Sequence, residues 1–290
     1  MRETLTLRDT LAEAVARLEA AGAETAALDA QLLLAHALGR NRAYLYAHLD
    51  DPVAPRRQEA FLALLRRREA REPLPYLLGA WEFMGMSFLV SPAVLIPRPE
   101  TEVLVEAVAE RVGRSARILD VGAGSGCISA ALARLLPAAE ILALEPSPPA
   151  VAVARANVEA LGAGERVRVV EGRFPQDAKA LGVFDAVVSN PPYIPSAEVD
   201  RLAPELRCYE PRGALDGGPD GLSLLRPLVE ESPRLLNRDG LLAVEVARGQ
   251  AGQVAGLLAA QGAWAEPEIV PDMAGIPRAV LCRLRKPDPL

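Results

Sequence analysis

The residues from Ser189 to Pro195, SNPPYIP, follow directly on the apolar run FDAVVS. They put a carboxamide, two prolines and a phenol ring on one of the stiffest tetrapeptides a chain can build. Proline fixes its own φ and cannot continue a ladder. The segment therefore reads either as a rigid stop to a strand or as a preorganised site holding Asn190 and Tyr193 in fixed relation. What lies upstream decides between them. In RILDVGAGSGCISAALARLL, the loop Gly122, Ala123, Gly124, Ser125, Gly126 stands between a strand pattern and a helix pattern. Glycines there allow a sharp turn and a close ligand approach. A P-loop is excluded, because Gly126-Cys127-Ile128 lacks the Gly-Lys-Ser/Thr ending. A dinucleotide site prefers GxGxxG over the GxGxG present here, a loop around the methionine portion of S-adenosylmethionine fits, and a glycine turn without a ligand stays open. Glu145 ends the next strand pattern, EILALE, 23 residues after Gly122. A carboxylate there suits both ribose hydroxyls of an adenosine cofactor without choosing between NAD and S-adenosylmethionine. Phe174, after RVRVVE, is a candidate neighbour of an adenine ring and equally a candidate core residue.

Other chemistries are removed by what is missing. The only histidines are His36 and His48, so the strand-rich part has none, and Ser-His-Asp, Cys-His and most histidine metal chemistry are excluded there. Three cysteines, Cys127, Cys208 and Cys282, lie far apart with no CxxC spacing. That argues against a disulfide framework or zinc site and fits a reducing cytoplasm. A net charge of −6 and a pI near 5.2 weigh against a dedicated nucleic-acid binder. Arg66-Arg67-Arg68 with Arg71 reads as the solvated, dipole-complementing end of a helix. Lys179 and Lys286 are the only lysines, a bias that fits GC-rich coding or adaptation to heat. No stretch is long and apolar enough to span a membrane, and MRETLTLRDT lacks the apolar core of a signal peptide.

The elements that must position these residues follow from periodicity. Up to residue 72 the pattern is helical: Thr6 and Asp9 resemble a capping box, Leu11, Val15 and Leu18 have helical spacing, and TAALDAQLLLAHALG stops at Gly39. NRAYLYAHL and PRRQEAFLALLRRREA continue it, so a bundle of four or five helices is expected. Residues 73–99 change texture, with a hairpin expected around Gly85 and a proline-shaped connector after it. Residues 100–290 alternate helices with the strands RILDV, EILALE, RVRVVE, FDAVVS and LLAVEV, which implies a mostly parallel sheet wrapped on both faces. EPEIVP and AVLCRL follow without a clear helix between them, so at least one is expected to run antiparallel. FDAVVS is the fourth strand of this sheet, which brings Asn190 to the carboxyl edge where ligands of such sheets bind.

At this point a resemblance becomes specific. PRPETE (97–102), GxGxG (122–126), NPPY (190–193), YEPRGALDGGPDGL (209–222) and EVARGQ (245–250) together are similar to the bacterial release-factor glutamine methyltransferases, the PrmC/HemK family. The similarity runs over nearly the whole chain, with departures at Pro146, Arg173 and Ala247. It implies an α/β class I S-adenosylmethionine-dependent methyltransferase with a doubly wound, mostly parallel seven-stranded sheet and a small N-terminal all-α bundle that helps dock a protein substrate. It further implies transfer of a methyl group from S-adenosylmethionine, leaving S-adenosylhomocysteine, to the amide nitrogen of the Gly-Gly-Gln glutamine in peptide chain release factors, without a metal. Carried over, the cofactor residues are Gly122, Ala123, Gly124, Ser125, Gly126, Glu145, Phe174 and Asn190. The substrate residues are Asn190, Pro191, Pro192 and Tyr193, with Asn190, Pro191 and Tyr193 catalytic. Residue chemistry agrees: an amide nitrogen is a poor nucleophile, and the Asn190 oxygen with the Pro191 carbonyl supplies two acceptors that orient it. A cytoplasmic monomer with no direct nucleic-acid contact is expected. The competing readings are an adenine-amino methyltransferase acting on DNA or RNA, which shares the NPPY logic, and a non-catalytic adaptor that keeps the fold.

Overall fold

The computed structural model describes residues 5–285, and the chain divides into two compact units. The first four residues of MRETLTLRDT, and Lys286, lie outside the described residues. The first unit comprises residues up to Ala80 together with 203–209. It is built from α1 (Leu7–Ala20), α2 (Ala26–Leu38), α3 (Arg42–Ala47), α4 (Pro55–Glu69), α5 (Leu74–Leu78) and, from the later segment, α10 (Pro204–Tyr209). Thr6 and Asp9 close the expected capping box: the Asp9 N–H donates to Thr6 Oγ1 at 3.2 Å and the Thr6 N–H to the Asp9 carboxylate at 3.3 Å. Buried Leu7, Ala14 and Leu18 on α1 meet Ala30, Leu33 and Leu34 on α2 and Phe61 and Leu65 on α4, the helical spacing turned into one apolar core. A fully buried leucine of this kind contributes about 1.5–3 kcal/mol.

The arginine cluster is where the sequence reading fails. Arg68 is 5% exposed, and its Nε donates to Asp29 Oδ2 at 2.7 Å. Its Nη1 and the Nε and Nη2 of Arg71 donate to Glu205, at 3.0, 2.6 and 2.8 Å. Arg67 pairs with Glu72. Much of the cluster is thus an internal ion network and not a solvated helix end. Its partners lie 39 and 137 residues away in sequence, beyond the reach of local reading.

The second unit comprises residues 81–202 and 210 onward. It opens on the hairpin of β1 (Ala80–Phe83) and β2 (Met86–Leu89), turned at Met84-Gly85, both with positive φ. There follow α6 (Pro99–Arg111), β3 (Arg117–Val121), α7 (Cys127–Leu135), β4 (Glu140–Glu145), α8 (Pro148–Ala160), β5 (Val167–Glu171), β6 (Phe184–Ser189) and α9 (Ser196–Val199). The unit ends with α11 (Leu225–Glu231), β7 (Leu236–Glu245), α12 (Ala251–Gln261), β8 (Glu268–Pro271) and β9 (Pro277–Arg283). Seven strands form one sheet in the order β5-β4-β3-β6-β7-β9-β8. All neighbours pair in parallel except β9, which runs antiparallel to both β7 and β8. The expected doubly wound, seven-stranded architecture is therefore present.

The alternation of side chains decides what each face carries. Ile118, Ile141, Ala143, Ala186, Val188, Leu241 and Ala243 enter the core with α6, α7 and α8. Leu119, Leu142, Leu144, Val187, Leu242 and Val244 enter the opposite core with α11 and α12. Both faces are covered, which is why the strands read as near-continuous apolar runs. Extending the two-residue period puts Asp120, Glu145, Asn190 and Glu245 on the first of these faces, at or near the carboxyl ends of β3, β4, β6 and β7.

Candidate active site

After β3 the chain turns through Gly122, Gly124 and Gly126, with φ of 77°, 55° and 80°. These values suit glycine and strain other residues. The Gly122 and Ala123 N–H groups donate to the Leu144 carbonyl at 2.8 and 3.2 Å, which pins the loop to the end of β4. Beneath it, Asn157 on α8 donates to the Ser125 carbonyl at 2.9 Å. The Gly124 N–H donates to Glu145 Oε2 and the Ser147 N–H to Glu145 Oε1, each at 2.9 Å. Glu145 is thus drawn against the loop. Burial pushes its pKa up, opposed by these two backbone hydrogen bonds.

Asp120, which sequence reasoning did not single out, lies fully buried under the loop. Ser129 donates to its Oδ2 at 2.6 Å, while Oδ1 has no partner among the described residues. Burial pushes its pKa up to about 7, reinforced by the nearby Glu145 charge. A carboxylate oxygen left without a donor in the interior is costly and calls for one. The space above the loop is open: a Cβ added at Gly122 would meet nothing within 4 Å. An open glycine turn, a carboxylate anchored to it and an orphaned buried oxygen fit the adenosine and amino-acid ends of S-adenosylmethionine. Phe174 follows β5 and is partly buried against the second core, sharing no hydrogen bond with the glycine loop or Glu145.

At the end of β6 the Ser189 hydroxyl donates to the Val121 carbonyl at 2.7 Å, tying the strand to β3 just before Asn190. Asn190 Nδ2 donates to Thr101 Oγ1 at 3.0 Å. Thr101 in turn donates to Glu245 Oε2 at 2.6 Å, and the Tyr193 hydroxyl donates to Glu245 Oε1 at 3.3 Å. Glu245 and Thr101 are both buried. Burial pushes the Glu245 carboxyl up to about 7. Asn190 Oδ1 and the Pro191 carbonyl accept no hydrogen bond from the described residues, so both expected acceptors are free.

The stiffness of SNPPYIP is supplied from outside as well as by its prolines. The Ile194 N–H donates to the Leu215 carbonyl at 3.1 Å, and the Gly217 N–H returns to the Ile194 carbonyl at 2.8 Å. A Cβ on Gly217 would stand 2.7 Å from the Pro192 carbonyl oxygen, so this approach requires glycine. Gln250 donates to the Gly221 carbonyl at 3.1 Å and accepts from the Ala247 N–H at 3.1 Å, holding the same loop from behind. Glu210 accepts from the Ile96 N–H at 3.3 Å and from Arg98, and Glu102 accepts from the Met84 N–H at 2.8 Å. Gly217 and Gly221 thus brace NPPY directly, while Glu210 and Glu102 tie other motif segments together. Thr101 and Glu245 lay within recognised stretches but without a role. The signal that would have found them is strand parity, since Glu245 sits two residues beyond inward-facing Ala243.

Among the described residues no group of His, Cys, Asp and Glu could hold a metal ion, and no helix is long and apolar enough to cross a membrane. Residues 9–79 match the family described as PrmC N-terminal domain, and residues 99–206 the family described as Methyltransferase small domain. The chain is 44% identical over 284 residues to the release factor glutamine methyltransferase of Moorella thermoacetica, covering 97% of this chain and 100% of that one. It is 48% identical over 243 residues to that of Geobacter sulfurreducens, covering 83% and 84%. Among solved structures, a methyltransferase from Pyrococcus furiosus superposes with a TM-score of 0.52 at 20% identity, covering 71% of this chain and 91% of the other, a likeness of fold.

Proposed function

Because the chain belongs to the release factor glutamine methyltransferase family, we propose that it methylates the side-chain amide nitrogen of the glutamine in the Gly-Gly-Gln motif of peptide chain release factors. The observation that carries this reading is the pair of free acceptors, Asn190 Oδ1 and the Pro191 carbonyl, on a braced segment beside the glycine loop. A primary amide presents two N–H donors in one plane. Holding both on rigid acceptors orients the nitrogen and favours the positive charge that develops on it. Tyr193, its hydroxyl tethered to Glu245, offers a flat wall against the amide. Bound S-adenosylmethionine supplies an activated methyl group on a sulfonium. Gly122 to Gly126, Glu145, Phe174 and Asn190 would hold it, and the unpartnered Asp120 Oδ1 would offer an acceptor for its amino group. Glu145 keeps a lone pair on each oxygen for the ribose hydroxyls after its two backbone contacts. No histidine is required, because an N-alkylated, protonated amide is strongly acidic and gives up its proton to water. The helical residues 1–72 dock the protein substrate, and the reaction takes place in the cytoplasm.

Mass spectrometry of a release factor after incubation with the protein and S-adenosylmethionine tests this directly. One added methyl group on the glutamine that follows two glycines is the expected result. With labelled cofactor offered alongside DNA and RNA, label on nucleic acid alone would overturn the reading in favour of an adenine-amino methyltransferase.

A further inference from the structure

We infer that Thr101 and Glu245 are positioning residues that dictate which way round the Asn190 carboxamide faces, so that its oxygen and not its nitrogen meets the substrate amide. The inference rests on the reading that Asn190 receives that amide. Glu245 is buried at the end of β7, Thr101 in the first turn of α6 and Asn190 just beyond β6, so three separate elements meet in one line of hydrogen bonds.

The direction of that line follows from counting protons. An ionised carboxylate accepts and cannot donate, and a threonine hydroxyl has one proton. At 2.6 Å from Glu245 Oε2, that proton belongs to the carboxylate contact. Thr101 Oγ1 then has only lone pairs left for Asn190, 3.0 Å away, so the atom facing it must be Nδ2. Oδ1 is turned to the other side. Protonating Glu245 reverses the logic. The acid donates to Thr101, whose own proton becomes free for Asn190 Oδ1, and the carboxamide can turn its NH2 outward, where it repels the donors of a substrate amide. Tyr193 donates to the second oxygen of Glu245 and favours its ionised, accepting form.

The titratable and charged groups facing Glu245 are Glu100 on α6, Cys127 on α7, Tyr193 after β6 and Arg278 on β9. Burial pushes Cys127 up to about 12, burial also raises Tyr193, and the hydrogen bond to Asp272 raises Arg278. Glu245 itself is pushed up to about 7, so the device titrates in the neutral range. Asp120 titrates there too, and is separated from Glu245 by comparing variants.

Three full-length variants test the inference: Thr101→Val, which keeps the shape and deletes the hydroxyl, Thr101→Ser, which restores it, and Glu245→Gln, which can present either end of its amide to Thr101. With release factor as substrate, Thr101→Val should lower kcat about thirtyfold while KM, S-adenosylmethionine affinity by calorimetry and thermal midpoint change little. Thr101→Ser should return kcat to within about threefold of wild type. Wild-type kcat should rise as pH passes about 7, and Glu245→Gln should be lower and lack that part of the rise, keeping any contribution from Asp120. A Thr101→Val kcat within threefold of wild type, or a Thr101→Ser as poor as Thr101→Val, would overturn the inference. A readout independent of turnover is the 15N-resolved side-chain NH2 of Asn190. One of its two protons should exchange slowly in wild type, and both rapidly in Thr101→Val; fast exchange of both in wild type would also overturn it. If the wild-type protein leaves release factors unmethylated, the proposed function fails, and this exchange comparison still decides the orientation of Asn190.

Discussion

Two sets of wholly or partly buried carboxylates behave in opposite ways. In the helical unit, Asp29 and Glu205 are met by Arg68 and Arg71 within 3.0 Å. Burial pushes Glu205 up, but the hydrogen bonds from Arg71 and Arg68 outweigh it and hold the carboxyl below the usual range. At the carboxyl edge of the sheet, Asp120, Glu145 and Glu245 have no arginine or lysine in an ion pair among the described residues. Their hydrogen bonds come only from N–H and O–H groups, and burial drives all three upward. Where a buried carboxylate serves the fold it is neutralised by a cation. Where it serves the candidate site it stays short of partners, able to take a donor or hold a neighbour's orientation, and the unit carries the destabilisation.

The comparison can be broken from either side. The largest effect should follow Arg68→Met, which strands Asp29 in the bundle and should lower unfolding free energy by about 3–5 kcal/mol in urea titration; a loss under 1 kcal/mol would show the network to be ornamental. Asn190→Ala should leave stability nearly untouched yet reduce turnover at least about a hundredfold, roughly 3 kcal/mol, with S-adenosylmethionine affinity held within about tenfold. Equal losses in turnover and affinity would make Asn190 chiefly a cofactor ligand. Asp120→Asn sharpens the contrast through pH. A carboxyl whose folded pKa is raised to about 7 favours the fold while protonated, an advantage present at low pH and lost as pH rises through 7. Between pH 5 and 7 the wild type should therefore lose on the order of 2 kcal/mol that Asp120→Asn does not. Parallel pH profiles would remove Asp120 from the set of costly groups. Glu145→Gln should weaken S-adenosylmethionine binding about tenfold, roughly 1.4 kcal/mol by calorimetry, whereas unchanged affinity would leave Glu145 as a brace for the glycine loop. The smallest effect belongs to Arg8→Ala, which removes the solvent-exposed pair with Asp50 and should shift stability by under about 0.5 kcal/mol.

How far the site could be read in advance depended on how local each feature is. The loop from Gly122 to Gly126, the strand before it and the carboxylate that ends EILALE are contiguous patterns; the hydrogen bond from Gly124 to Glu145 is added by the fold. The Thr6–Asp9 cap and the hairpin at Gly85 are equally local and are present. β7 starts earlier than its apolar portion, at Leu236, because the polar stretch Asn237-Arg238-Asp239-Gly240 hides the pairing from any apolar count. Asp120 is not legible in the sequence, because an aspartate inside RILDV looks like any strand-end polar residue until its missing partner is seen. Arg68 differs from the expected solvated residue because only its distant partners distinguish an internal cation from a solvated one.

By itself the sequence determined the sheet's alternation, the glycine turn, the stiff Asn-Pro-Pro-Tyr exit and the absence of histidine chemistry around them, since each depends on backbone preferences acting over a few residues. Only the tertiary structure decided that Thr101, 89 residues before Asn190, supplies the acceptor for its amide nitrogen, and that Glu245 stands behind Thr101. Strand register and the packing of α6 against the sheet brought those groups within 3 Å of one another. A hydrogen bond has direction and sub-ångström tolerance, and no pattern of residue types carries that much geometry.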